Sequence, residues 1–180
     1  MRFLKAGATV VVVGKDKVTS FIAAADQVRA EPDSLYGYPM ATLLSLPPSR
    51  TVHDASPADV KTRWRLALAA EAAGRLAAAL ESTKTYVTDR QQFGRPLAVF
   101  QALRHRLAEC QVRAKGVYWL AMKAAGTLDA GDAALAALHA QESARTSVYD
   151  FHQLLGAMGM TRAARAAGQG RQGRAYAEPQ

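Results

Sequence analysis

Apolar positions along this chain change their period once, near Ser56. Before it, Ala8-Thr9-Val10-Val11-Val12-Val13 is a β-branched apolar run, Gly14-Lys15-Asp16-Lys17 has turn composition, and Val18-Thr19-Ser20-Phe21-Ile22 follows as a hairpin partner. Leu43-Leu44-Ser45-Leu46 reads as a further strand, stopped by Pro47-Pro48. A hairpin needs a third strand or a helix to cover it, so residues 1–55 read as part of a sheet that opens in its middle, which predicts truncation of a longer β-domain.

After Ser56 the apolar spacing becomes three and four. Ser56 is a natural N-cap, Pro57 suits the first helical position, and Asp59 complements the positive helix end. This predicts a helix to about Asp89, with a stripe of Trp64, Leu68, Leu76, Leu80 and Val87. Gly74, costing about 1 kcal/mol against Ala in a helix, predicts close approach of another helix there. A second helix spans Leu97 to Gly126, with a seam of Phe100, Leu103, Leu107, Cys110, Ala114, Val117, Ala121 and Ala124. Thr127–Gly131 connects it to a third helix from Asp132 to Leu155, whose inner face is read as Leu135, Leu138, Val148, Phe151 and Leu155. The predicted fold is mainly α: an up-and-down antiparallel bundle of three long helices with an incomplete fourth, preceded by a small partial β region. Three segments follow: 1–55 as the remnant of a β-domain, 56–161 as the bundle, and 162–180 as a tail.

The tail, "RAARAAGQGRQGRAYAEPQ", has almost no large apolar residues and reads as a frayed helix start followed by disorder. Its arginines (Arg162, Arg165, Arg171, Arg174) face one acid, Glu178, within a chain of net charge +8, which points to anionic partners. Tyr176 is its single aromatic, so nucleic acid ranks last among those partners. Cys110, the only cysteine, excludes a disulfide framework and is read as a small buried residue; with no span-length apolar run, the protein is expected to be cytoplasmic with no membrane span. His53, His105, His139 and His152 show no metal-ligand spacing, and no metal site is expected.

One stretch exceeds what a turn requires. "DRQQFGRP" needs only Gly94 and Pro96 to break the helices. Arg90 complements the end of helix one and Arg95 suits a solvated turn; alternatively, Arg90, Gln92 and Phe93 supply a cation, an amide and an aromatic face able to bind a phosphate and stack on a planar group.

The run "YVTDRQQFGRPLAVFQALRHRLAEC", with "ALAAEAAG" before it and "FHQLLGAMGMT" after it, resembles the C-terminal helical domain of acyl-CoA dehydrogenases over about Arg63 to Thr161. Residues 1–55 loosely resemble the end of that family's middle β-domain. The resemblance implies FAD as cofactor and α,β-dehydrogenation of an acyl-CoA thioester, in a homo-oligomer or with a related dehydrogenase subunit, with an electron-transfer partner. It assigns Arg90, Gln92 and Phe93 to the pyrophosphate and adenosine side of an FAD across a dimer interface. Phe100 and Gln101 match a flavin-bordering pair, often His-Gln in the family. Gln153, Leu154, Leu155, Gly156 and Ala157 match a helix end touching the adenine and ribitol region in the neighbouring subunit; alternatively they form only a helix C-cap, and Gly156 suits both. For the base, the family's positions fall on Trp64, which cannot take a proton, or near Tyr176-Ala177-Glu178. Glu71, two turns beyond Trp64 on the same face, is an acid amid alanines, read as an interface residue or as the base, with Glu178 behind it as a base. The alternative reading is a non-catalytic helical assembly subunit that completes the flavin site of a fuller dehydrogenase.

Overall fold

The computed structural model describes residues 1, 3–31 and 40–160, and the chain divides into two units between residues 61 and 62. The predicted tail, Glu178 and any fourth helix fall outside the described residues.

The first unit is antiparallel β. Strands Thr9–Val13 (β1) and Val18–Ile22 (β2) pair with Val13 opposite Val18, and the turn closes where the Gly14 N–H donates to the Lys17 carbonyl at 2.9 Å. Alternation puts Val10 and Phe21 into a small core with Leu4, Ala23 and Ala41. The next elements are a two-stranded ribbon, Val28–Ala30 (β3) with Ala41–Leu43 (β4), and an edge strand, Thr51–His53 (β5), that pairs with β2. The strand expected over Leu43–Leu46 is thus displaced: its ladder ends with its three-residue partner β3, and Leu44 and Leu46 are exposed. β5, which sequence reading passed over, is the third strand the hairpin needed.

The second unit is a three-helix bundle. Pro57–Asp89 (α1) starts where the Asp59 N–H donates to Ser56 Oγ at 3.4 Å and spans roughly 50 Å at 1.5 Å per residue. Gln101–Thr127 (α2) and Ala130–Leu155 (α3) follow, joined by Leu128 and Asp129. Leu128 takes the left-handed conformation (φ 50°), ending α2, and Asp129 Oδ1 accepts the Asp132 N–H at 2.9 Å, starting α3.

The buried seams recur at three and four. On α1 they are Ala69, Ala73, Leu76, Leu80, Thr83 and Val87; on α2, Cys110, Ala114, Val117, Ala121 and Ala124; on α3, Ala133, Ala136, Ala140, Ser143 and Ser147, then Asp150, Phe151 and Leu154. That spacing is the coiled-coil repeat, here filled with small side chains. Small residues let helices approach closely, and α2 lies nearest α3: a Cβ on Gly116 would sit 2.7 Å from His139 Nε2.

This inverts part of the expected core. Trp64, Leu135, Leu138 and Val148 are exposed and Leu68 is half-buried, because alanine and serine fill the seam and turn the larger residues outward. Gly74 is exposed too, with no atom within 4 Å of where a Cβ would lie; the close approach occurs at Gly116 instead. The α2 seam from Cys110 to Ala124 is buried as expected, while Leu103 and Leu107 are half-buried toward the end where the candidate site lies.

The Asp129 cap is worth about 1 kcal/mol, so Asp129→Ala should lower unfolding stability in urea by that amount. Asp132, bonded by Lys123 Nζ at 2.7 Å and Thr127 Oγ1 at 2.9 Å, has its carboxyl pKa lowered, first by the Lys123 bond; Lys123 is raised in return. A lowered acid contributes stability that is full above its ordinary pKa of about 4 and lost as pH falls through the folded value. The raised lysine contributes stability that is lost at the alkaline end instead. The urea midpoint of Asp132→Asn should therefore converge on that of the unsubstituted protein as pH is lowered below 4.

Candidate functional site

The site begins at the end of α1. The Arg90 N–H still donates to the Tyr86 carbonyl at 2.9 Å, and the chain then leaves the helix as a miniature hairpin, Gln91–Gln92 (β6) against Arg95–Pro96 (β7). The Leu97 N–H donates back to the Arg90 carbonyl at 2.9 Å and closes the hairpin at its root. Leu97–Val99 forms a turn of 3-10 helix, and the Leu103 N–H donates to the Phe100 carbonyl at 3.1 Å as α2 starts. Backbone bonds thus fix both ends of the "DRQQFGRP" segment.

The tip of this hairpin is strained. Phe93 (φ 57°) and Gly94 (φ 76°) both have positive φ, the pattern of a type I′ turn. Glycine adopts that region freely, whereas a bulky L-residue there costs roughly 1–2 kcal/mol. The Phe93 side chain is 86% exposed, touching the Phe100 ring edge-on at a centroid distance of 6.0 Å, while the Arg95 guanidinium lies 4.7 Å from the Phe100 ring centre. A strained, solvent-facing aromatic is an arrangement found at recognition sites.

A groove of about 660 Å³ opens beside the hairpin root. Arg90, Gln92, Leu103 and Arg106 line one wall, and Gln153 to Met158 line the other. α3 ends on Gly156, whose φ of 56° and ψ of −140° suit a residue without a Cβ, and the chain turns there into the short helix Gly156–Met160. Two guanidiniums, two side-chain amides and an apolar wall offer donors to an anion and a surface to a planar group.

Of the residues assigned from sequence, Arg90, Gln92, Gln153, Leu154, Leu155, Gly156 and Ala157 meet in this groove. Phe93, Phe100 and Gln101 do not line it. Phe93 and Phe100 pack on each other, and the Gln101 side chain lies 3.4 Å from His105 Nε2. Glu71 is half-buried on α1, fifteen residues or about 22 Å of helix before Tyr86, and is ion-paired to Arg75 Nε at 2.9 Å.

Sequence reading missed Arg106 and Asp150. Asp150 is buried on α3 and accepts from two α2 arginines: Arg106 Nη1 to Oδ1 at 3.2 Å and Arg113 Nη1 to Oδ2 at 3.0 Å. Arg113 also donates to Glu109 at 3.1 Å. Cys110 lies 3.7 Å from Asp150 Oδ2, and its thiol pKa is raised, first by burial and next by the Asp150 charge. The pairing spans two helices, so it depends on an interhelical register that a single sequence does not display. Among the described residues no group of three or more His, Cys, Asp or Glu is arranged to hold a metal, and no helix is long and apolar enough to cross a membrane.

A family model described as the acyl-CoA dehydrogenase C-terminal domain matches residues 62–178. The curated acyl-CoA dehydrogenase IpdE2 of Mycolicibacterium smegmatis is 29% identical over 156 residues, covering 83% of this chain and 50% of that protein. The chain thus spans half the length of that relative. Among solved structures, a variant of the Tcur3481-Tcur3483 steroid ACAD is 30% identical with a TM-score of 0.65, over 79% of this chain and 42% of that one. PigA with FAD and proline matches at 22% identity and a TM-score of 0.62, over 82% of this chain and 43% of that one, a likeness of fold.

Two outcomes test the local chemistry. Cys110 should react with a thiol reagent only slowly in the native protein at pH 8 and at the rate of a free thiol in denaturant. Phe93→Asn should stabilise the protein by about 1 kcal/mol in urea unfolding, since asparagine tolerates positive φ better.

Proposed function

Because this chain belongs to the acyl-CoA dehydrogenase family, we propose that its helical unit supplies part of an FAD site in an enzyme that dehydrogenates an acyl-CoA thioester between its α and β carbons. One observation carries the reading: Arg90 and Gln92, at the end of α1, converge on the same groove as Gln153–Ala157, at the end of α3. The donor set fits the group. Arg90 presents a guanidinium for a pyrophosphate, Gln92 and Gln153 present amides for hydroxyl or ring-nitrogen partners, and Gly156 lets the backbone come close. PigA, which shares the fold, is known with FAD and proline.

FAD, when bound, accepts the β-hydride of the acyl chain. The part left to this chain is to hold and orient. The groove takes the adenosine diphosphate side of an FAD seated on a second subunit, and Phe93 projects from the strained hairpin toward that subunit. Phe100, braced by Arg95, and Gln101 border the flavin side. Glu71 is assigned to remove the α-proton, although its pairing with Arg75 equally serves as an i,i+4 helix contact worth a few tenths of a kcal/mol. Glu71→Gln separates the two roles: loss of dehydrogenation with unchanged flavin content identifies the base, and unchanged turnover identifies a helix contact.

A second reading rests on the same groove. Arg90 and Gly156 line the groove while Glu71 is ion-paired to Arg75 elsewhere on α1, which suits a subunit that completes the flavin site of a fuller dehydrogenase and leaves catalysis to it. The test is flavin absorbance of the chain purified alone and co-purified with a dehydrogenase subunit. Retention only in the complex favours the assembly role. In either preparation Arg90→Ala should lower FAD affinity about tenfold, the worth of a charge-assisted hydrogen bond. Equal FAD affinity in Arg90→Ala would remove the groove from the site.

A further inference from the structure

The carboxylate of Asp150 has an asymmetric set of partners. Its Oδ2 receives Arg113 Nη1 at 3.0 Å and faces the Cys110 sulfur at 3.7 Å, while Oδ1 receives Arg106 Nη1 at 3.2 Å. Arg113 is anchored again by Glu109 and is half-buried, its side chain 27% exposed. Arg106 differs. Its side chain is 48% exposed, it lines the groove that holds Arg90, and among the described residues its guanidinium makes one hydrogen bond, to Asp150. A guanidinium carries five N–H donors in a rigid fork, so most of the Arg106 donors remain for whatever the groove receives.

We propose that Arg106 is an anion-contacting residue of the groove and that Asp150 is its positioning residue. The proposal rests on the reading of the groove as a nucleotide site and adds residues to it. Glu109, Arg113 and Asp150 form a chain of charge-assisted bonds running from the outer face of α2 into the α2–α3 contact. Because Asp150 is 8% exposed and held on Oδ2 from one side, its Oδ1 is a fixed point. Arg106 is tethered to that point through Nη1, so its approach to the groove is set before a ligand arrives. Preorganisation of this kind lowers the side-chain entropy lost on binding. With Arg90 on the same wall, the groove presents two forks, which suits a diphosphate better than a neutral nucleoside.

The probes are ADP and adenosine, titrated into the full chain at low salt and followed by NMR or calorimetry in the millimolar range. The quantity read is the ratio of their affinities. The unsubstituted protein should prefer ADP, and Arg106→Gln should cut that preference about tenfold, the effect of one charge-assisted bond. Arg106→Lys, keeping the charge without the fork, should recover part of it. Asp150→Glu keeps the charge and shifts the carboxylate by one methylene, so it should cut the preference about threefold, from the lost preorganisation. Arg113→Gln breaks the same Asp150 cluster at a residue outside the groove lining. It should lower the melting temperature as Arg106→Gln does and, by loosening Asp150, cut the ADP preference only about threefold, well short of the tenfold loss in Arg106→Gln.

Each other outcome overturns a named part. An unchanged ratio in Arg106→Gln, or an equal loss in Arg113→Gln, removes Arg106 from the anion contact while leaving the groove reading in place. An unchanged ratio in Asp150→Glu removes the positioning role. Failure of the unsubstituted protein to prefer ADP overturns the groove reading and this inference with it. Should Asp150→Glu not fold, the two arginine variants decide alone.

Discussion

The small-residue seam between α2 and α3 is the constraint on which the rest of the structure depends. Alanine, serine and cysteine leave no bulk to hold the backbones apart, so the helices settle where Gly116 admits His139. That depth fixes the register, and register is what brings Asp150 opposite both Arg106 and Arg113. It also fixes where α3 ends relative to the start of α2, and therefore the width of the groove between Gln153–Met158 and Leu103–Arg106. A larger residue in the seam would move all of these together, since close-packed interiors transmit displacement.

Polar groups inside such a seam need partners, and most have them. Thr83 Oγ1 donates to the Ala79 carbonyl at 2.8 Å within its own helix, and Asp150 is satisfied across helices. The two cases differ in kind. Thr83 closes a local bond that leaves the neighbouring helices free to slide, whereas Asp150 specifies one pairing of α2 with α3. Buried ion pairs contribute little net stability after desolvation, and the specificity of a pairing is their better-attested role.

What the sequence displayed, it displayed through local rules. The start of helix one could be placed to the residue because Ser56, Pro57 and Asp59 are local signals, and the α2 seam could be read because its period is intact from Cys110 to Ala124. The inner face of α3 was read correctly at Phe151 and misread at Leu135, Leu138 and Val148, because large residues were weighted above small ones: these three are exposed while Ala133, Ala136 and Ala140 are buried. β5 escaped because three residues between Arg50 and Asp54 carry no readable alternation. Half of the groove was legible in "DRQQFGRP" and "FHQLLGAMGM", since those segments carry unusual residue types, while Arg106 looks like any solvated arginine until α3 places Asp150 beside it.

The bundle's seams are rich in small residues, while Trp64, Trp119, Leu135, Leu138 and Tyr149 are exposed. An isolated copy of this unit forgoes the free energy that burying those side chains would yield, about 25 cal/mol for each Å² of apolar surface. Any polypeptide that covers them therefore stabilises the helices by mass action, and the folded fraction becomes a function of concentration as well as of sequence. Stability measured on the isolated unit is then a floor, raised by whatever covers those side chains.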